Sequence, residues 1–127
     1  MKTKSIIIYL LIAASLMVYV SDADASQKQK SKVTFVELGS VNCIPCKKMQ
    51  PVMKAIEGKY GEQISVVFYD VWKEEQKKYA GQYKIKLIPT QVFLDENGKE
   101  FFRHEGFFAE SEIDKVLTKR GLKVISK

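Results

Sequence analysis

The spacing of hydrophobic positions changes several times along this chain, and each change marks an element. Ile6 to Val20 is an apolar run of 15 residues, interrupted only by Ser15. Residues 26–32 are polar and read as a flexible leader. Val33 to Leu38 is short, β-branched and largely apolar, the pattern of a buried strand. After a loop at Gly39 to Asn42 the period changes. Met49, Val52, Met53, Ile56 and Tyr60 fall at i, i+3, i+4, i+7 and i+11, one face of a helix that starts near Cys43. Pro51 lies inside it and should kink it, having no N–H to donate. Gly58 and Gly61 mark its end. Ile64 to Asp70 reads as a second buried strand, and Glu74 to Tyr83 as a short surface helix with Tyr79, Ala80 and Tyr83 inward. Thr90 to Leu94 is a third strand. Asn97-Gly98 is a hairpin signal, so Glu100 to Glu105 should return antiparallel. Ser111 to Asp114 resembles a capping box, followed by Ile113, Val116 and Leu117 and closed by Gly121.

The predicted order is β-α-β-α-β-β-α. A strand-helix-strand start implies a parallel pair with a right-handed crossover, and the hairpin adds an antiparallel pair. The expected fold class is therefore α/β: one four-stranded mixed sheet with helices on both faces. No second domain fits the 127 residues.

The first apolar run is an address rather than part of this fold. Lys2 and Lys4 precede it, and Ala23 and Ala25 supply the small residues of a cleavage site. It is shorter than the roughly 20 residues that cross a bilayer comfortably. Residues 1–25 read as a secretory signal, with an uncleaved anchor as the alternative. Residues 26–32 are the leader and 33–127 the folded domain. The expected location is extracytoplasmic, in a periplasm, where disulfides persist.

Composition narrows the function. The formal charge is +6, and residues 1–25 balance Lys2 and Lys4 against Asp22 and Asp24, so the rest carries all of it. Its basic residues are scattered, without an arginine-rich or aromatic-interleaved stripe, and nucleic acid is not expected as a partner. Two cysteines are too few for a disulfide scaffold, so the core must come from packing.

Those two cysteines form Cys43-Ile44-Pro45-Cys46, between a strand and a helix. The spacing puts both sulfurs on one helical turn, within disulfide reach. Cys43 sits at the helix N-terminus, where unpaired N–H groups and the macrodipole favour a thiolate. Cys46, one turn in, should be more buried and able to resolve a mixed disulfide at Cys43. Pro45 suits the first helical turn. Three other readings compete. A structural disulfide would close only a two-residue gap and restrain little chain entropy. A zinc site would need about four ligands, where the chain offers two Cys and one His. A c-type haem site needs His at position 47, which is Lys. No cofactor is expected beyond a redox-active Cys43–Cys46 disulfide.

From Val33 to about Leu122 the chain resembles the thioredoxin superfamily. The resemblance rests on Phe35-Val36-Glu37-Leu38 leading into Cys43-Ile44-Pro45-Cys46-Lys47, and on Pro51. It continues in Tyr83 to Thr90 with its Ile88-Pro89-Thr90, in Phe93, and in Asn97-Gly98-Lys99. It implies a minimal thioredoxin fold, with Cys43 the attacking and Cys46 the resolving thiol. It implies that Pro89 is cis and faces the disulfide, that the Ile88 backbone pairs with an extended substrate segment, and that Gly106 lies in a loop near the partner. Ile44 and Pro45 would add apolar partner surface. Substrates would be protein disulfides, met by a monomer.

Departures from the family pattern carry their own expectations. Glu37 stands where the family has a buried Asp. A buried carboxyl near a thiol can accept its proton, and burial raises its own pKa; the alternative is a Glu turned to the sheet edge or solvent. Asn42 replaces the usual Trp and offers a helix N-cap. Ile44 replaces the usual Gly. The family's additional N-terminal strand and helix are absent. His104 reads as a solvated strand residue, Trp72 as core, and Phe107 and Phe108 as either core or rim. Ile44 and Pro45 give no polar donor to a thiolate, although Lys47 and Lys48 are nearby cations. That balance implies a potential nearer about −270 mV than about −120 mV. The expected activity is reduction of extracytoplasmic disulfides with electrons from a membrane thiol-disulfide transporter. Oxidase, isomerase and non-catalytic adaptor are the alternatives.

Overall fold

The structure, a computed structural model, describes residues 30–125. The expected signal at residues 1–25 and most of the expected leader at 26–32 lie outside the described residues. Four strands and three helices follow in the order β1 (Val33–Gly39), α1 (Ile44–Tyr60), β2 (Ile64–Asp70), α2 (Lys78–Gln82), β3 (Thr90–Asp95), β4 (Glu100–Glu105) and α3 (Glu110–Lys119). The sheet order is β2-β1-β3-β4. β1 is parallel to β2 and antiparallel to β3, which is antiparallel to β4. This is the mixed sheet read from the sequence.

Alternation along the strands divides the core into two layers. Val33 and Phe35 of β1 and Phe93 of β3 meet Met49, Met53, Ile56 and Tyr60 of α1 and Ile113 and Leu117 of α3. Phe35 and Phe93 stack with centroids 4.8 Å apart. On the other face Val36, Leu38, Val71 and Val92 are covered by Tyr79, Ala80 and Tyr83. A register shift between β3 and β4 pairs Phe93 with Phe102 and Leu94 with Glu100. This irregularity lets Phe101 and Phe102, adjacent in sequence, both pack against the same core layer.

Several boundaries differ from expectation. The predicted helix at Glu74 to Tyr83 shrinks to Lys78–Gln82. Glu74, Glu75 and Lys77 provide no apolar face, and the Gln76 side chain turns back to accept the Asp70 N–H at 2.7 Å. α1, by contrast, ends as read, with Tyr60 its last residue and Gly61 its C-cap; Tyr60 is buried and its hydroxyl donates to Asp114 at 2.8 Å. Lys59 bonds Glu110 and Asp114, joining α1 to α3. That occupies the Asp114 carboxylate, and α3 begins instead at Glu110 behind Ala109, without a side-chain cap. Pro51 sits within a helix that remains continuous around it.

Candidate active site

The β1–β3 register brings the site's parts to one edge of the sheet. Leu38 pairs with Thr90, so Pro89 lies beside Gly39 at the C-terminal end of β1. Thr90 pairs with Glu105, so Gly106 follows beside Pro89. The Gly106 N–H donates to the Pro89 carbonyl at 2.8 Å. Gly106 has φ of +87°, a conformation that glycine reaches without a Cβ penalty. The Ile88–Pro89 peptide is cis, as the resemblance implies.

Cys43 is the N-cap residue of α1 and Pro45 stands in its first turn. Cys43 and Cys46 are disulfide-bonded, with Cα atoms 5.2 Å apart. Cys46 is fully buried, while Cys43 retains 8% exposure beside Ile44 at 73%. A Cβ on Gly39 would lie 3.2 Å from Cys46 Sγ, so the end of β1 abuts the resolving position closely. Pro45 is exposed, Ile88 half-buried and Pro89 buried.

Glu37 lies on the same face of β1 as Gly39, one pleat repeat or about 7 Å back along the strand. It is fully buried, not turned to solvent. Burial pushes its carboxyl up to about 8, opposed by a weaker hydrogen bond from Gln91. The Gln91 Nε2 donates to Glu37 Oε1 at 3.4 Å and to the Gly106 carbonyl at 3.1 Å. Among the described residues, Glu37 Oε2 and Gln91 Oε1 have no hydrogen-bond partner.

The loop before Cys43 is held from β2. Asp70, buried, accepts from the N–H groups of Val41 at 3.2 Å and Trp72 at 3.1 Å. Burial raises its pKa, but these bonds, the Ser40 hydroxyl and Lys73 outweigh that and hold it below the usual carboxylate value. Trp72 is not core: it is 62% exposed, because the chain leaves β2 at Asp70 and turns its next large side chain outward. Asn42 does not cap α1; its N–H donates to the Ser40 hydroxyl and Cys43 itself takes the N-cap position. His104 is half-buried, stacked on Phe108 with centroids 4.0 Å apart, and so is not the solvated residue expected. Phe108 joins the core and Phe107 is exposed. Gln91 and Asp70 were not singled out from the sequence. The signal for Gln91 was a carboxamide beside Val92 and Phe93 in an otherwise apolar strand.

A disulfide pair at a helix N-terminus, a cis proline at the neighbouring strand end and a buried carboxyl on the strand that ends against Cys46 define a thiol-disulfide site on an α/β sheet. Residues 20–121 match the profile of the thioredoxin-like domain family. Thioredoxins of Staphylococcus epidermidis and Staphylococcus aureus are each 29% identical over 103 residues, covering 81% of this chain and 96% of theirs. The thioredoxin structure from Nicotiana alata is 33% identical with a TM-score of 0.61, covering 75% of this chain and 78% of that one. The chain belongs to the thioredoxin-like family, and it is a redox protein with a C-x-x-C pair. Thioredoxin-like proteins act on protein disulfides and use no cofactor. Among the described residues no group of three or more His, Cys, Asp or Glu is placed to hold a metal ion.

Proposed function

We propose that this protein is an extracytoplasmic thiol-disulfide reductase, working as a monomer in a periplasm. Residues 1–25 would direct export and residues 33–127 would form the working domain. Electrons would arrive from a membrane thiol-disulfide transporter and leave to disulfides of exported proteins. The observation that carries the redox assignment is the unequal exposure of the two cysteines, 8% for Cys43 at the head of α1 and none for Cys46.

In the reduced form the Cys43 thiolate attacks one sulfur of the substrate disulfide, and the other leaves as a thiolate that takes a proton. Glu37, as its carboxylate, accepts the Cys46 proton. The Cys46 sulfur then attacks Cys43 Sγ, expels the second substrate thiolate and closes the Cys43–Cys46 disulfide. Glu37 returns the proton to that leaving sulfur. Two electrons and two protons pass to the substrate, and the dithiol becomes the disulfide. Ile44, Pro45, Ile88, Pro89 and Gly106 would form the surface that receives the substrate segment.

Equilibration with glutathione tests the direction. The reductase reading expects a potential nearer about −270 mV than about −120 mV, and a value above about −180 mV would overturn it in favour of an oxidase or isomerase.

A further inference from the structure

Glu37, Gln91 and His104 form one row across the sheet, because Glu37 pairs with Gln91 and Gln91 with His104. The next row on that face, Phe35, Phe93 and Phe102, is apolar throughout. The polar row lies between it and the redox edge. Two of its side chains hold the loop after β4: Gln91 bonds the Gly106 carbonyl and His104 Nε2 lies 3.1 Å from the Phe107 carbonyl. Gln91 is fully buried, where an apolar side chain would avoid the cost of covering a carboxamide. Its orientation is set by its neighbours. Exchanging its oxygen and nitrogen would point a carbonyl at the Gly106 carbonyl oxygen, which can only accept.

We propose that Gln91 is a positioning residue of the redox site, its one amide group tying the Glu37 carboxyl, on the strand that ends against Cys46, to the Gly106 loop that meets the partner. This rests on the roles given to Glu37 and Gly106 above. One hydrogen of Nε2 serves each acceptor, so the acid–base group and the partner-binding loop are held by the same side chain. Through the Gly106 N–H the tie extends to Pro89. Loss of the amide should therefore weaken both the proton step and partner capture.

The test is Gln91→Met, which keeps the length and removes the donors, in the wild-type chain and in a Glu37→Gln background. Insulin reduction driven by dithiothreitol gives kcat and KM, and hydrogen exchange gives the Gly106 and Val92 amides. The expected result is a fall of about tenfold in kcat/KM, shared between kcat and KM. In the Glu37→Gln background the kcat share should vanish and the KM share remain. The Gly106 amide should exchange about tenfold faster with Val92 nearly unchanged. Unaltered kinetics and Gly106 exchange would overturn the proposal, as would equal acceleration at Gly106 and Val92, which reports only a loosened fold. A Cys43→Ser chain that still reduces insulin at the wild-type rate would overturn the reductase reading instead, and the exchange comparison would still decide whether Gln91 holds the loop.

Discussion

Glu37→Gln should remove a pH dependence of folding that the native chain carries. The Glu37 carboxyl is held at about 8 in the fold by burial, against an ordinary 4.5 when exposed. Below pH 4.5 both states hold the proton and the group contributes its full stability. Between pH 4.5 and about 8 only the unfolded chain ionises, so each pH unit costs folding about 1.4 kcal/mol. Above about 8 both states are ionised and the loss levels off. Across the window the loss approaches about 5 kcal/mol, an upper figure because water entry or local rearrangement would relieve a buried charge. With a urea slope of about 1–1.5 kcal/mol/M, the wild-type midpoint should fall between pH 4.5 and 8 by an amount that can reach about 3–4 M. Glutamine keeps the size and cannot ionise, so the variant should lack this component. Urea titrations of both oxidised proteins at half-unit pH steps make the measurement. Taking the difference between the two profiles cancels the groups that both proteins share. Parallel profiles would refute the reasoning: Glu37 would then be solvated or would have a normal pKa.

Phe93→Ala should cost about 3–5 kcal/mol, because Phe93 is fully buried, stacked on Phe35 and edge-on to Phe102 and Phe108, and chemical denaturation reads it directly. Trp72→Ala should change stability by no more than about 0.5 kcal/mol, because the side chain is exposed and only its backbone N–H is used by Asp70. Asp70→Ala, by contrast, should cost about 1–3 kcal/mol in a thermal or urea melt, since it leaves the Val41 and Trp72 N–H groups without their acceptor.

The sheet was legible because its strands are short, apolar and separated by unambiguous punctuation. Ile64 to Asp70 and Glu100 to Glu105 fall where the pattern puts them. The redox pair was legible because two cysteines three apart at a strand–helix junction admit few other chemistries. What the local pattern could not carry were preferences overridden by contacts from distant sequence. Trp72 reads as core by its size alone, yet its orientation follows from how the chain leaves β2, and Asp70 anchors its backbone. The charged stretch before Tyr79 reads as helix by propensity, yet Gln76 folds back onto Asp70. Ser111 to Asp114 has the composition of a cap, yet Lys59 and Tyr60 claim Asp114 across 50 residues or more. Gln91 was hidden for the same reason. Its partners, Glu37 and Gly106, are 54 and 15 positions away and meet it only once the strands are in register.

The division of labour between the two sulfurs is tested most directly by trapping. Reduced Cys46→Ser and Cys43→Ser chains are each mixed with a disulfide-bonded peptide and analysed by non-reducing mass spectrometry. Cys46→Ser should accumulate a one-to-one mixed disulfide on Cys43, released by dithiothreitol, while Cys43→Ser accumulates little because its remaining sulfur is fully buried. Equal trapping on Cys46, or none on Cys43, would contradict the account.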